Sequence, residues 1–383
     1  MLITSIRNRI PTSITKTRRS ASSAVTFTLL MLSISGYADE GNGYATIAFR
    51  PNVDYPIGGG PSSVAVADLN RDGKPDLVVA NEEQPDNGDS YVSVLLGKGN
   101  GTLRPKGDFA TVGQPVSVGV GDLNRDGKPD VVTASVYGGS LSVLLGRGDG
   151  TLLPRVDYAA GYSTGPVAVA DLNRDGKLDL ITSVVLLGRG DGTFGPPAET
   201  GVQPSDVEVA DLNRDGKPDL VVANYSDSTV SVLLGNGDGT LLSKVDYPTD
   251  KQPVSLAVAD LNRDGRPDLV TANLTDPATV SVLLSRGDGT FRSKMDYSVG
   301  NGAYDVAVTD LNGDGKLDAV TANVFSDTIS LLIGRGDGTF RSKVDYSTGY
   351  GPLSVAIGDL NRDGKLDAVT ANNGGSASIL LAR

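Results

Sequence analysis

Three observations on this 383-residue sequence predict an all-β fold, a seven-bladed β-propeller of four-stranded blades. One Asp-rich phrase recurs seven times. Each copy lies between short runs that read as strands, with no sustained helical period. The first strand of the repeat region matches the piece missing from the last repeat, so the N-terminal strand is expected to complete the final blade and close the ring.

The phrase is first seen as Asp68-Leu-Asn-Arg-Asp-Gly-Lys-Pro-Asp76, and the others start at Asp122, Asp171, Asp211, Asp260, Asp310 and Asp359. Successive starts are 54, 49, 40, 49, 50 and 49 residues apart, the length of one four-stranded blade. Before the loop, Val64-Ala-Val-Ala67 reads as strand 1, and after it Leu77-Val-Val-Ala80 reads as strand 2. Val92-Ser-Val-Leu-Leu96 reads as strand 3, a Gly-x-Gly-Asp-Gly-Thr turn follows as at 146–151, and Phe340-Arg-Ser-Lys-Val-Asp-Tyr346 typifies strand 4. The last unit stops at Ser378-Ile-Leu-Leu-Ala-Arg383, after its third strand. Near the other end stands Phe49-Arg-Pro-Asn-Val-Asp-Tyr55, which matches 340–346 at Phe, Arg, Val, Asp and Tyr. The third unit lacks about seven residues around its strand 2–3 connection, so both strands there are expected to be short. The first has a longer acidic loop at 81–90.

The sequence contains no Trp, Cys or His, and aromatics make up 5%. That excludes a Ser–His–Asp triad, a Cys nucleophile, a His/Cys zinc site and disulfides. The formal charge is −12, and 41 of the 46 acidic residues are Asp. So one-sided an excess points to a need for the short carboxylate, in turns or as a ligand for hard cations. No basic stripe is available for nucleic acid.

Positions 1, 3, 5, 7 and 9 of the loops are Asp68, Asn70, Asp72, Lys74 and Asp76; Asp122, Asn124, Asp126, Lys128 and Asp130; Asp171, Asn173, Asp175, Lys177 and Asp179; Asp211, Asn213, Asp215, Lys217 and Asp219; Asp260, Asn262, Asp264, Arg266 and Asp268; Asp310, Asn312, Asp314, Lys316 and Asp318; and Asp359, Asn361, Asp363, Lys365 and Asp367. Positions 1, 3, 5 and 9 offer side-chain oxygens, and position 7 only its backbone carbonyl. Gly73 and its equivalents at position 6 permit the sharp turn. Oxygen-only donors on a flexible loop suit Ca²⁺ better than Zn²⁺ or Mg²⁺. An EF-hand would need Glu at position 12, where Val79 stands, and flanking helices. A metal-free Asx turn explains one copy, but three carboxylates per tight loop, seven times over, repel one another without a cation. About one Ca²⁺ per blade is the expectation.

The seven Asp-x-Asn-x-Asp-Gly-x-x-Asp loops, each between short strands, resemble FG-GAP/VCBS repeats, the type found in integrin α-subunit heads and many bacterial exported proteins. The resemblance covers about residues 45–383. It implies a seven-bladed propeller with Ca²⁺ in the strand 1–2 hairpins, ligated by loop positions 1, 3, 5, 7 and 9. Phe194-Gly195 is the only Phe-Gly at the start of a strand 4, so the integrin-like ligand function is not carried over.

Residues 1–38 read as a signal peptide and 39–383 as the propeller. Arg7, Arg9, Lys16, Arg18 and Arg19 precede an apolar run centred on Leu29-Leu-Met-Leu32, and Gly36-Tyr-Ala38 supplies small residues for cleavage. Cleavage takes the formal charge from −12 to −17, and seven Ca²⁺ bring it to −3. A secreted or surface monomer with no membrane span is expected. Arg-Gly-Asp recurs at 147–149, 189–191, 286–288 and 335–337, but Lys98-Gly-Asn100 takes its place in the first unit, so the phrase reads as a strand 3–4 turn. Tyr162, Tyr304 and Tyr350 fall in strand 4–1 connections, on the face opposite the Asp-rich loops. Asn224-Tyr-Ser226 and Asn273-Leu-Thr275 fit glycosylation acceptors. The spare carboxylates Glu82, Glu83, Glu199, Glu208, Asp206 and Asp305 form no recognisable catalytic pair. The function expected is a calcium-binding, exported, non-catalytic binding or adhesion scaffold for a protein or carbohydrate ligand on the 2–3/4–1 loop face. The alternative is a calcium-dependent polysaccharide lyase or hydrolase.

Overall fold

A computed structural model of the chain describes residues 47–82, 90–136, 138–161 and 165–383. The expected signal peptide 1–38, the acidic stretch 83–89 and Tyr162 lie outside these residues. The described chain forms seven four-stranded antiparallel sheets and no helix. Six sheets take four consecutive strands, as in blade 1: Pro61–Ala67, Asp76–Asn81, Ser90–Leu95 and Gly107–Thr111. The seventh is split. Its strands 1 to 3 are Pro352–Gly358, Asp367–Asn372 and Ser376–Leu380, and its fourth is Val53–Pro56 from the other end of the chain. The register runs from Val53↔Ile379 to Pro56↔Ser376, with a bridge Phe49↔Ala382 below it. The fold class and its closure are therefore as the sequence predicts.

Seven apolar clusters hold the molecule together, one between each pair of neighbouring blades. This explains why strand 2 lacks polar alternation. Leu77-Val-Val-Ala80 is covered on both faces and wholly buried. Aromatic contacts rivet the junctions further out: Tyr158 meets Phe194, Tyr247 meets Phe291, Tyr297 meets Phe340 and Tyr346 meets Phe49, edge to face at 5.1–5.4 Å. The last of these docks the closing strand on blade 6.

Strand 4 is regular over a shorter span than the sequence suggests. In blade 6 it covers Val344–Ser347, and Phe340 joins only through a bridge to Gly334. These outer edges carry Lys106–Asp108, Arg155–Asp157, Lys244–Asp246, Lys294–Asp296 and Lys343–Asp345 ion pairs, which blunt them against pairing with other chains. The Asp of each pair has a second task. Ser231 Oγ donates to Asp246 and accepts from Asn224 Nδ2 at 2.8 Å, and the same Asn–Ser–Asp stripe crosses blade 7 through Asn372, Ser378 and Asp54. Asn224 and Asn273 are thus buried members of these stripes and do not present as glycosylation acceptors. Blade 3 has three residues in each of strands 2 and 3, Asp179–Ile181 and Val184–Leu186, joined through Thr182 and Ser183.

The inner strands are stitched into a belt. At the position five residues before each loop, a Ser or Asp accepts the backbone N–H of the next blade's inner strand. Val118 donates to Ser63 Oγ (3.2 Å), Val167 to Ser117 Oγ (3.2 Å), Leu256 to Asp206 Oδ2 (2.8 Å), Val306 to Ser255 Oγ (3.3 Å), Val355 to Asp305 Oδ2 (2.8 Å) and Val64 to Ser354 Oγ (3.3 Å). The third blade carries Pro166 there and offers no acceptor. Val207 N–H turns instead to the Oδ1 of its neighbour Asp206, at 2.9 Å.

Candidate functional site

The seven loops adopt one conformation. In blade 1, Asp68 accepts the N–H groups of Asp72 (3.0 Å) and Gly73 (2.9 Å), Asn70 Oδ1 accepts Asp72 N–H (2.9 Å), and Asp72 Oδ1 accepts Lys74 N–H (3.1 Å). The same four bonds recur in the loops from Asp122, Asp171, Asp211, Asp260, Asp310 and Asp359. Position 6 is glycine at φ 76–83° and position 4 is also left-handed. Six loops hold an arginine there at φ 58–62°, and the sixth loop has Gly313. A left-handed arginine costs about 1 kcal/mol and persists only where the rest of the loop fixes it.

The ninth residue stands apart from the other three. Asp76 is fully buried. Its Oδ2 accepts Leu69 N–H (3.0 Å) and its Oδ1 accepts Gly97 N–H (2.7 Å), tying the loop to the end of strand 3. All seven equivalents do the same, down to Asp367 with Leu360 and Ala382. Burial pushes the carboxyls of Asp76, Asp130, Asp268, Asp318 and Asp367 up to about 6, and those of Asp179 and Asp219 upward. Among the described residues no three acidic side chains converge on one point as they stand. The donor chemistry nonetheless fits a hard cation. The carboxylates of positions 1 and 5 and the amide oxygen of position 3 share one exposed turn. Lys74 Nζ lies 2.8 Å from Asp72 Oδ2, and its hydrogen bond holds that carboxyl below its ordinary range, so a cation already rests against the fifth position.

The Arg-Gly-Asp phrases are turns. Asp149 Oδ1 accepts both the N–H (2.9 Å) and the Oγ1–H (2.6 Å) of Thr151, and Asp191, Asp288 and Asp337 repeat this. On the opposite face the tyrosines divide. Tyr304 belongs to the inner strand Ala303–Thr309 and is buried beside Leu353, not displayed in a connection. Tyr350, in the connection from blade 6 to blade 7, is 72% exposed, and Phe325, in the strand 2–3 loop of blade 6, is 68% exposed. A Cβ on Gly302 would come within 2.5 Å of the Phe325 ring, and one on Gly374 within 3.0 Å of Tyr350 Cβ, so each aromatic lies close over a glycine.

The family model for FG-GAP-like repeats matches the chain seven times, over 33–79, 68–133, 126–182, 182–222, 211–271, 272–321 and 310–370. The chain belongs to the FG-GAP-like repeat family. No curated protein matches the sequence of this FG-GAP-like repeat protein. Solved structures resemble its fold. A lectin of Agrocybe aegerita, described for its recognition of non-reducing terminal N-acetylglucosamine, is 23% identical, with 80% of this chain and 84% of that one covered and a TM-score of 0.53. A 6-phosphogluconolactonase assigned in Bacteroides fragilis is 21% identical, covering 77% and 86%, with a TM-score of 0.55. A streptogramin B lyase is 13% identical, covering 88% and 98%, with a TM-score of 0.57. At these identities the likeness concerns the fold of this FG-GAP-like repeat protein alone.

Three acidic residues without a role in the sequence reading meet near the axis of the FG-GAP-like ring. Asp206 and Asp305 belong to the belt and are fully buried, while Glu208 lines the central cavity. Burial raises the Asp206 carboxyl well above its ordinary range and Asp305 to about 6. Burial, and then the charge of Asp305, push Glu208 up to about 8. A carboxyl raised in the folded state adds stability that is complete below its unfolded pKa and is lost as pH rises through the folded value. Replacing Asp305 by Ser, the belt residue of both neighbouring blades, is therefore expected to flatten the fall in melting temperature between pH 4 and pH 6 in saturating Ca²⁺. Equal slopes for variant and parent in that window would refute the assignment.

Proposed function

We propose that this protein is an exported, calcium-stabilised, non-catalytic scaffold that binds a protein or glycan on the 2–3/4–1 loop face. The observation that carries this reading is the exposure of Phe325, in the strand 2–3 loop of blade 6, and of Tyr350, in the connection from blade 6 to blade 7, both on the 2–3/4–1 loop face. Exposed aromatic rings stack on sugar rings and anchor protein partners, and the Tyr350 hydroxyl adds a polar tip. Calcium is supported by seven identical oxygen-donor loops and by the charge they concentrate. Export is supported by the basic and apolar composition of 1–38. Among the described residues, no helix is long and apolar enough to cross a membrane. The charged outer edges support a monomer. A catalytic reading would need two uncommitted carboxylates in one cleft. Asp206 and Asp305 are committed to backbone amides, which favours the scaffold.

A glycan array and a panel of cell-surface proteins, probed with and without Ca²⁺, test the reading. Replacing Phe325 and Tyr350 together by Ser is expected to weaken binding at least about tenfold with the melt unchanged, since such anchors contribute about 2 kcal/mol or more. Undiminished binding by the double variant, or turnover of an acidic polysaccharide, would overturn it.

A further inference from the structure

At one level of the inner strands the repeat is broken by a charge. Three residues before the loop, five blades carry Ala and blade 2 carries Gly119, but blade 4 carries Glu208. This is the only charged side chain at that level of the inner strands. It lines a central cavity of about 710 Å³, whose other walls include Val66, Leu256, Val258, Val306 and Ile357. The small residues at the same level in the other blades leave the space that Glu208 faces.

The cavity is polarised. Asp68, Asp359 and Lys74 line it from the loop side, and the Lys74 ammonium is already paired with Asp72. Asp305 adds negative charge behind the wall. Among the described residues no cation pairs with Glu208, which accepts a hydrogen bond from Val209 N–H. A carboxylate walled by hydrocarbon is costly until a cation neutralises it. A bare metal ion would need several more oxygens, and those of Asp206 and Asp305 already accept backbone amides or a hydroxyl. An organic cation needs one carboxylate and an apolar wall, and the volume suits a small molecule.

We propose that the central cavity is a binding site for a small primary amine with an aryl or short alkyl body, its ammonium held by Glu208 and its hydrocarbon against the inner strands. The site lies on the ring axis and is independent of any partner on the loop face. Calorimetric titration of the intact protein with 2-phenylethylamine, 2-phenylethanol and 3-phenylpropanoate tests it. Binding is expected for the amine and not for the neutral alcohol or the acid. Glu208→Ala installs the residue that five blades carry, so the melt should survive while amine affinity falls at least about tenfold. Ala307→Leu, which fills the cavity, is expected to abolish binding. Failure of the parent protein to bind the amine, equal binding of alcohol and amine, or undiminished binding by Glu208→Ala would each overturn the proposal.

Discussion

Deleting the closing strand, so that the chain starts at Ile57, is expected to be among the most damaging changes that leave all seven Asp-rich loops in place. The four register pairs to Ser376–Leu380 disappear, together with the Arg50 N–H to Leu381 and Arg383 N–H to Ala48 bonds at 2.8 Å. Asp54 no longer accepts Ser378 Oγ at 2.6 Å. Phe49 is lost from the cluster between blades 6 and 7, and Tyr346 loses its ring partner and the Ile47 carbonyl that its hydroxyl reaches at 2.8 Å. Removing a buried Phe alone costs about 3–5 kcal/mol. The bared strand 3 of blade 7 is then an unpaired edge without the Lys–Asp pairs that guard the natural outer edges. A fall in melting temperature of about 10 °C or more, with self-association in light scattering, is the expected result. Phe49→Ala should reproduce part of the thermal loss while staying monomeric. A truncated chain that melts and sediments like the parent would show that the interblade clusters hold blade 7 without closure.

Closure was legible because 49–55 copies 340–346 residue by residue. The loop geometry was legible because Asp, Asn and Gly at odd and even positions have few other ways to turn. What the sequence concealed were partnerships set by ring register. Asp305 reads as a spare carboxylate, yet its oxygens accept Val306 N–H, Ser255 Oγ and Val355 N–H, the last some 50 residues away on the next blade. Asn224 reads as a glycosylation acceptor because its partner Ser231 lies across a strand pair that only the folded hairpin creates. Asp76 reads as one more donor of the loop, while its contact with Gly97 depends on strand 3 returning beside it. Tyr304 and Tyr350 look alike in sequence, but Ala303–Thr309 starts a strand early enough to bury one of them. Glu208 was discoverable. Aligning the inner strands on the loops sets one Glu against five Ala and a Gly, a contrast that a search for catalytic pairs passes over.

Chelation should cost more than any point substitution. A site held at about 100 times its dissociation constant adds ~2.7 kcal/mol to folding. Seven such sites, even with heavy discount for coupling between blades, reach the ~5–15 kcal/mol by which a whole domain is stable. No disulfide shares that work, since the chain has no Cys. EDTA is expected to lower the melting temperature sharply, and Ca²⁺, not an equal ionic strength of Na⁺, to restore it. The effect should depend on pH in a definite sense. Without metal, the buried ninth-position carboxyls raised to about 6 contribute stability that is complete below 3.8 and gone above 6. The metal-free protein should therefore be sturdier at pH 5 than at pH 7, and the gap that Ca²⁺ opens should widen across that interval. Asp72→Asn keeps the oxygen that accepts Lys74 N–H and removes one charge, so it should weaken the Ca²⁺-loaded state by one site's share while leaving the EDTA-treated melt unchanged or slightly higher. A melt indifferent to EDTA would leave the loops as hydrogen-bonded turns whose repulsion is met by the Lys74-type ammonium groups alone. The same titration thus decides whether 21 loop aspartates serve an ion or only the backbone.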